Sequence, residues 1–207
     1  MNSNEMIEEN KIFAIIRGVH PDHIAPLLQA LYDGGIRIAE ITLNSPNAMT
    51  CINNMSKVFE GKMLIGAGTV LNKQDAINAI QAGASFLVCP ILDKEVILTA
   101  NEHGIVVIPG AMTPTEIVRA IDYGADYVKV FPAGNLGPSY IKQIIAPLDN
   151  LKAIAVGGVN SDNAKDFLES GAIGLGVGGS LINMEYIEKL EFKKIRFETE
   201  QFVKSLI

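Results

Sequence analysis

The chain has 207 residues, enough for one domain with a substantial core. Its hydrophobic fraction is 48%, its mean hydropathy is +0.25, and it carries 19 glycines and no tryptophan, which excludes a disordered or coiled-coil chain. The net charge is −6 with Lys and Arg scattered, so no basic face is massed for nucleic acid or for an anionic membrane.

No segment approaches 18 uninterrupted apolar residues, so no membrane span is expected. The opening stretch MNSNEMIEENKIFAIIRG is polar where a secretory signal needs an apolar run, and a cytoplasmic location is expected. Cys51 and Cys89 lack metal-type spacing, and a disulfide framework would use more cysteines.

In chain order, residues 2–10 read as a short leading helix. Eight β-type runs follow: 13–17, 36–42, 63–68, 85–89, 105–110, 126–131, 152–158 and 173–179. The segments between them space apolar residues for helices, as in Ile24, Leu27, Leu28 and Leu31. The last helix is expected over 184–206.

Glycines at 35, 83, 104, 124 and 171 stand where helices end, and Gly83, Gly104 and Gly124 are spaced by 21 and 20 residues. That spacing suits one strand, one helix and two short loops. Eight such units in one domain over residues 1–207 predict an α/β fold, the (β/α)8 TIM barrel, with the leading helix closing its floor. An open doubly wound sheet is the alternative, but no Gly-rich nucleotide loop follows the first strand.

Three ionisable residues interrupt apolar strands near their C-terminal ends, where the chemistry of such barrels sits: Arg17, Glu40 and Lys129. Alternation turns Tyr127, Lys129 and Phe131 towards the barrel axis if Val128 and Val130 face the helices. The same parity aims Ile38, Glu40 and Thr42 inward. A structural ion pair is the plainer reading, but buried pairs contribute little net stability.

Three charges at one mouth point instead to chemistry. A free lysine is almost wholly protonated at pH 7, and apolar burial disfavours its charged form. A neutral amine attacks a ketone to give a Schiff base, and a nearby carboxylate moves the protons. Arg17 supplies a fork for a substrate carboxylate or phosphate.

The last two strands end in AVGGVNSDN (155–163) and GVGGSL (176–181). Paired glycines let backbone N–H groups approach an oxyanion, and the seventh and eighth loops form the recurrent phosphate site of this fold. Gly157, Gly158, Gly178, Gly179 and the Ser180 hydroxyl are the expected contacts, with helix N-termini behind them. The bland alternative is tight turns.

Thr69 closes strand three, where it either meets a carboxylate or caps a helix. Pro90 and Phe131 are expected to wall an apolar pocket. His20, His23 and His103 lack ligand spacing and read as surface residues.

The combination AIIRG, EITLNSP, IGAGTVLN, VIPGAMTPTE, VKVFPA, GPSYIK, AVGGVN and GVGGSL resembles the 2-keto-3-deoxy-6-phosphogluconate and 6-phosphogalactonate aldolases across the chain. The resemblance implies a metal-free, cofactor-free class I aldolase, usually a homotrimer, that releases pyruvate and glyceraldehyde 3-phosphate from a phosphorylated keto-deoxy acid. It implies Lys129 as the Schiff-base lysine and Glu40 as the proton-transfer carboxylate. Arg17 and Thr69 would contact the pyruvate carboxylate, and Gly158, Gly178, Gly179 and Ser180 the phosphate.

Asn44 and Val156 depart from gluconate-type members, some of which carry arginine at the first position and which tend to carry threonine at the second. LNSP and AVGG are closer to the galactonate type, so the galactonate epimer is expected to be tolerated or preferred. A side activity on 4-hydroxy-2-oxoglutarate fits the shared pyruvate half. The rivals are a sugar-phosphate epimerase or isomerase and a non-catalytic phosphosugar-binding barrel. Neither has use for a buried lysine nucleophile.

Overall fold

A computed structural model describes residues 2–206. The chain runs α1 (Ser3–Glu9), β1 (Ile12–Ile16), α2 (Pro21–Asp33), β2 (Ile38–Thr42), α3 (Ala48–Val58), β3 (Leu64–Gly68) and α4 (Lys73–Gln81). It continues through β4 (Phe86–Val88), α5 (Lys94–Glu102), β5 (Val106–Ile108), β6 (Gly110–Ala111), α6 (Pro114–Asp122) and β7 (Val128–Val130). The last part holds α7 (Ala133–Leu136), α8 (Pro138–Ile145), β8 (Ala153–Val156), α9 (Ala164–Glu169), β9 (Gly174–Val177), α10 (Met184–Glu188) and α11 (Phe192–Lys204). None of the helices among the described residues is long and apolar enough to cross a membrane.

Every strand pair is parallel, in the order β5-β4-β3-β2-β1-β9-β8-β7-β6. The two ends of that order, β5 and β6, are separated in the chain by Pro109 alone. They are halves of one broken strand: the first half pairs with β4 and the second with β7. The run 105–110, expected as one continuous strand, is therefore split. Pro109 has no N–H for the ladder but keeps its carbonyl, which accepts from Lys129 N–H at 2.9 Å. Counted once, the broken strand gives eight strands in a closed (β/α)8 barrel.

Strand alternation separates two apolar layers. Val128, Val130, Ala39 and Ile41 lie in the layer between strands and helices. Phe13, Ile38, Phe86, Val88, Ile108, Tyr127, Ile154 and Val156 fill the barrel interior. The helices start and stop where local chemistry dictates. Thr113 and Glu116 form a reciprocal capping box around Pro114 at the start of α6. Glycines release the chain at the other ends, as at Gly83 (φ 90°) and Gly124 (φ 93°).

The expected final helix over 184–206 is two helices. Leu190 takes a left-handed conformation (φ 57°), and Glu191 N–H turns back to the Tyr186 carbonyl at 2.8 Å, ending α10 before α11 begins.

The leading helix is short, and seven residues form no stable helix alone. An Asn2–Glu5 capping box starts it, and Ile7 drives into the interior cluster as the plug of the barrel floor. Ile7→Ala is expected to cost about 2–4 kcal/mol in urea denaturation. A cost below about 1 kcal/mol would show that the helix merely rests on the floor.

Candidate active site at the barrel mouth

Lys129 sits mid-strand in β7 and Glu40 mid-strand in β2. With the broken strand counted once, these are the sixth and second strands, four apart either way round the ring, so the two side chains face each other across the axis. Both are buried, Lys129 at 4% exposure and Glu40 at 2%. They form no ion pair within 4.0 Å among the described residues. They interact through space. Burial pushes the Glu40 carboxyl up, against the lowering influence of the Lys129 and Arg17 charges.

A cleft of about 410 Å³ opens above Lys129. Arg17, Phe131, Val156, Gly157, Gly158, Gly178, Gly179 and Ser180 line it with Lys129. Beneath it is a narrow gap of about 10 Å³ where Glu40 stands among Phe13, Val88, Ile108 and Ile154. Ile15, Val156 and Gly176 line both spaces, so the carboxyl lies just below the cleft that holds the amine. Lys129 Nζ is 5.0 Å from the Phe131 ring centre.

Of the residues singled out in the sequence, the cleft brings together Arg17, Lys129, Phe131, Val156, both glycine pairs and Ser180. Thr69 joins through Arg17, whose Nη2 donates to its hydroxyl at 3.4 Å. Asn44 and Pro90 do not line the cleft; Asn44 is exposed and Pro90 half-buried. Arg17 lies one residue beyond β1 and is exposed, a fork on the cleft wall rather than a strand residue.

Three features escape a strand-pattern reading. Thr69 adopts φ 58°, a strained conformation for a β-branched residue, with its hydroxyl turned to Arg17. Ser45 links the loops after β1 and β2: its hydroxyl accepts from Gly18 N–H at 2.8 Å and bonds Thr42 at 2.9 Å, fixing the turn beside Arg17. The NSP tripeptide at 44–46 was its only signal.

The third feature is the loop behind the first glycine pair. Asn160 lines the cleft, and Asn163 holds the loop by donating to the Gly158 carbonyl at 2.8 Å. Neither glycine pair leads straight into a helix. α9 and α10 begin at Ala164 and Met184, after turns, so helix N-termini do not abut the glycines as the sequence reading expected.

The remaining reactive groups have other duties. Burial pushes the Cys89 thiol up to about 12, against the lowering effect of Lys129, which leaves it a packing residue. His20 caps α2 by accepting from Asp22 N–H, and His103 contacts the Thr99 carbonyl. Among the described residues no cluster of three or more His, Cys, Asp or Glu is arranged to hold a metal ion.

The model of the family "KDPG and KHG aldolase" matches residues 3–197. The chain is 37% identical over 171 residues to the 2-dehydro-3-deoxy-6-phosphogalactonate aldolase of Escherichia coli (strain K12), covering 82% of this chain and 83% of the relative. It is 33% identical over 176 residues to the KHG/KDPG aldolase of the same strain, covering 84% and 82%.

Among solved structures, a native KDPGal structure superposes with a TM-score of 0.88 at 34% identity, covering 94% of this chain and 93% of that one. A KDPG aldolase from Legionella pneumophila, with pyruvate captured as a covalent carbinolamine intermediate, gives a TM-score of 0.89 at 25% identity, covering 98% of each chain. The chain belongs to the KDPG and KHG aldolase family. Its activity is that of an aldolase, a carbon–carbon lyase.

The raised carboxyl of Glu40 sets a pH dependence. The folded state holds this proton more tightly than the unfolded chain, so stability is lost as pH rises from about 4.5 towards the raised value. Glu40→Gln, which is never charged, is expected to match the wild type near pH 4 and to melt higher at pH 8. A gap of 2–4 °C would correspond to about 1 kcal/mol in a chain of this size. A gap that narrows or reverses with rising pH would contradict this account of Glu40.

Proposed function

We propose that this aldolase cleaves 2-keto-3-deoxy-6-phosphogalactonate, together with its phosphogluconate epimer, to pyruvate and glyceraldehyde 3-phosphate through a Schiff base on Lys129. The observation that carries the proposal is the pairing across one barrel axis of a buried amine and a buried carboxyl, roofed by a cleft with Arg17 on its wall and two glycine loops.

The Lys129 amine attacks the C2 ketone through its lone pair, and Glu40 shuttles protons while the carbinolamine loses water to an iminium. The Glu40 carboxylate takes the C4 hydroxyl proton, which lets the C3–C4 electron pair flow to the iminium nitrogen. The aldehyde leaves, and an enamine of pyruvate remains. Glu40 returns a proton to C3, and water releases pyruvate and the free amine. Arg17 and Thr69 hold the carboxylate, and backbone N–H groups of Gly157, Gly158, Gly178 and Gly179 with the Ser180 hydroxyl take the phosphate. In the structure that hydroxyl donates to the Val159 carbonyl at 3.1 Å, and substrate would turn it.

Val156 lines both spaces beside Lys129 and offers no hydrogen bond to the C4 hydroxyl. A site that lacks such a partner rejects an epimer weakly. Asn44 and Pro90, which do not line the cleft, take no part in this choice. The pyruvate half alone fits 4-hydroxy-2-oxoglutarate as a minor substrate, in keeping with the KHG/KDPG relative.

The active assembly is a homotrimer. Exposed Leu71, Ile91 and Met112, on the loops that follow β3, β4 and β6, supply apolar surface for it. Sedimentation equilibrium should return three times the 22.3 kDa chain mass.

Borohydride added with pyruvate is expected to fix a covalent adduct on Lys129, located by peptide mass spectrometry, and Lys129→Ala to take up none. Turnover on the two C4 epimers in parallel should show the galactonate form used at least as well as the gluconate form. An adduct elsewhere, or strict gluconate specificity, would refute the respective part.

A further inference from the structure

β3 turns Leu64, Gly66 and Gly68 towards the barrel interior, while Ile65 and Ala67 face the helices. Two glycines in a strand weaken it unless something needs their space. At Gly68 the backbone gives no reason for glycine, since its φ lies outside the left-handed region. What fills the missing Cβ position is the Glu40 carboxyl. A Cβ built there would stand 2.5 Å from Glu40 Oε1, 2.8 Å from its Cδ and 3.1 Å from Thr42 Cγ2.

Register explains the approach. Glu40 pairs with Gly66 and Thr42 with Gly68, so the Glu40 side chain, leaning towards the mouth, passes Gly66 and comes to rest over Gly68. Among the described residues no protein hydrogen bond holds that carboxyl. Its position is set by shape.

We infer that Gly68 is a positioning residue for the aldol reaction: its bare α-carbon is the seat that keeps the Glu40 carboxyl beneath the cleft and in reach of carbons held on Lys129. The inference rests on the proposed roles of Lys129 and Glu40, but the seat itself is a matter of packing and can be tested apart from them. Added volume at Gly68 would lift the carboxyl away from the reacting carbons, and a displacement of about 1 Å in such a site costs on the order of 10²-fold in rate.

Two arms separate the outcomes. In the kinetic arm, Gly68→Ala lowers kcat for cleavage by about 10²-fold and leaves KM within about threefold. Borohydride still tags Lys129, and the pH–rate profile moves. Added to Glu40→Gln, the same substitution costs less than about threefold more, because the carboxyl it would displace no longer transfers protons.

In the stability arm, Gly68→Ala lowers the urea midpoint or prevents folding in the wild-type background, and the loss is largely relieved when paired with Glu40→Ala. Full activity of Gly68→Ala with an unchanged pH profile overturns the inference. So does an equal loss of stability with and without the Glu40 side chain, which would assign the glycine to the backbone of β3. Failure of Lys129 to be tagged in the wild type would sink the proposed chemistry instead, while the stability arm would still report on the seat.

Discussion

Two ionisable groups kept inside a closed ring of strands, on opposite walls and without touching, are the constraint that orders this molecule. Burying either group alone is costly, and a closed ion pair would recover part of that cost through direct attraction. Here the barrel denies them that contact. The open volume is the cleft of about 410 Å³ lined by Lys129, and Glu40 stands in the narrow gap just beneath it, so a small keto acid on the amine would have the carboxyl below it. Stability is given up where the chemistry needs it.

Much of this was legible because strands have a period of two. Val128 and Val130 on either side of Lys129, and Ala39 and Ile41 on either side of Glu40, gave the inward direction of both charges from parity alone, and the two apolar layers follow it. Glycine spacing gave the barrel. Breaks inside a run were harder to see. Pro109 reads as the end of an apolar strand, but its missing N–H falls where the strand changes partners, a fact about neighbours rather than about sequence. The turn at Leu190 is similar, since nothing in a leucine announces a left-handed backbone.

The site was legible in its charges and illegible in its supports. Ser45 matters through a bond to Gly18, 27 residues away, and Thr69 through a strained φ that presents its hydroxyl to Arg17. Gly68 matters through an atom it lacks. Such roles depend on what the fold brings alongside, and no local pattern carries them. The glycine pairs show the reverse error. Their composition suggested helix N-termini at the phosphate, whereas the chain turns first, so the paired glycines and Ser180 line the cleft with no helix start directly behind them.

Hydrogen exchange at the methyl group of pyruvate tests the central claim most directly, because it needs the amine to form the enamine and the carboxyl to move the proton. In D2O, followed by proton NMR, the wild-type chain should wash out the methyl signal and Lys129→Ala should leave it intact. Glu40→Gln should slow the loss by roughly 10²- to 10⁴-fold. Undiminished exchange in either variant would contradict the account, for it would mean that the two buried groups are not partners in the chemistry.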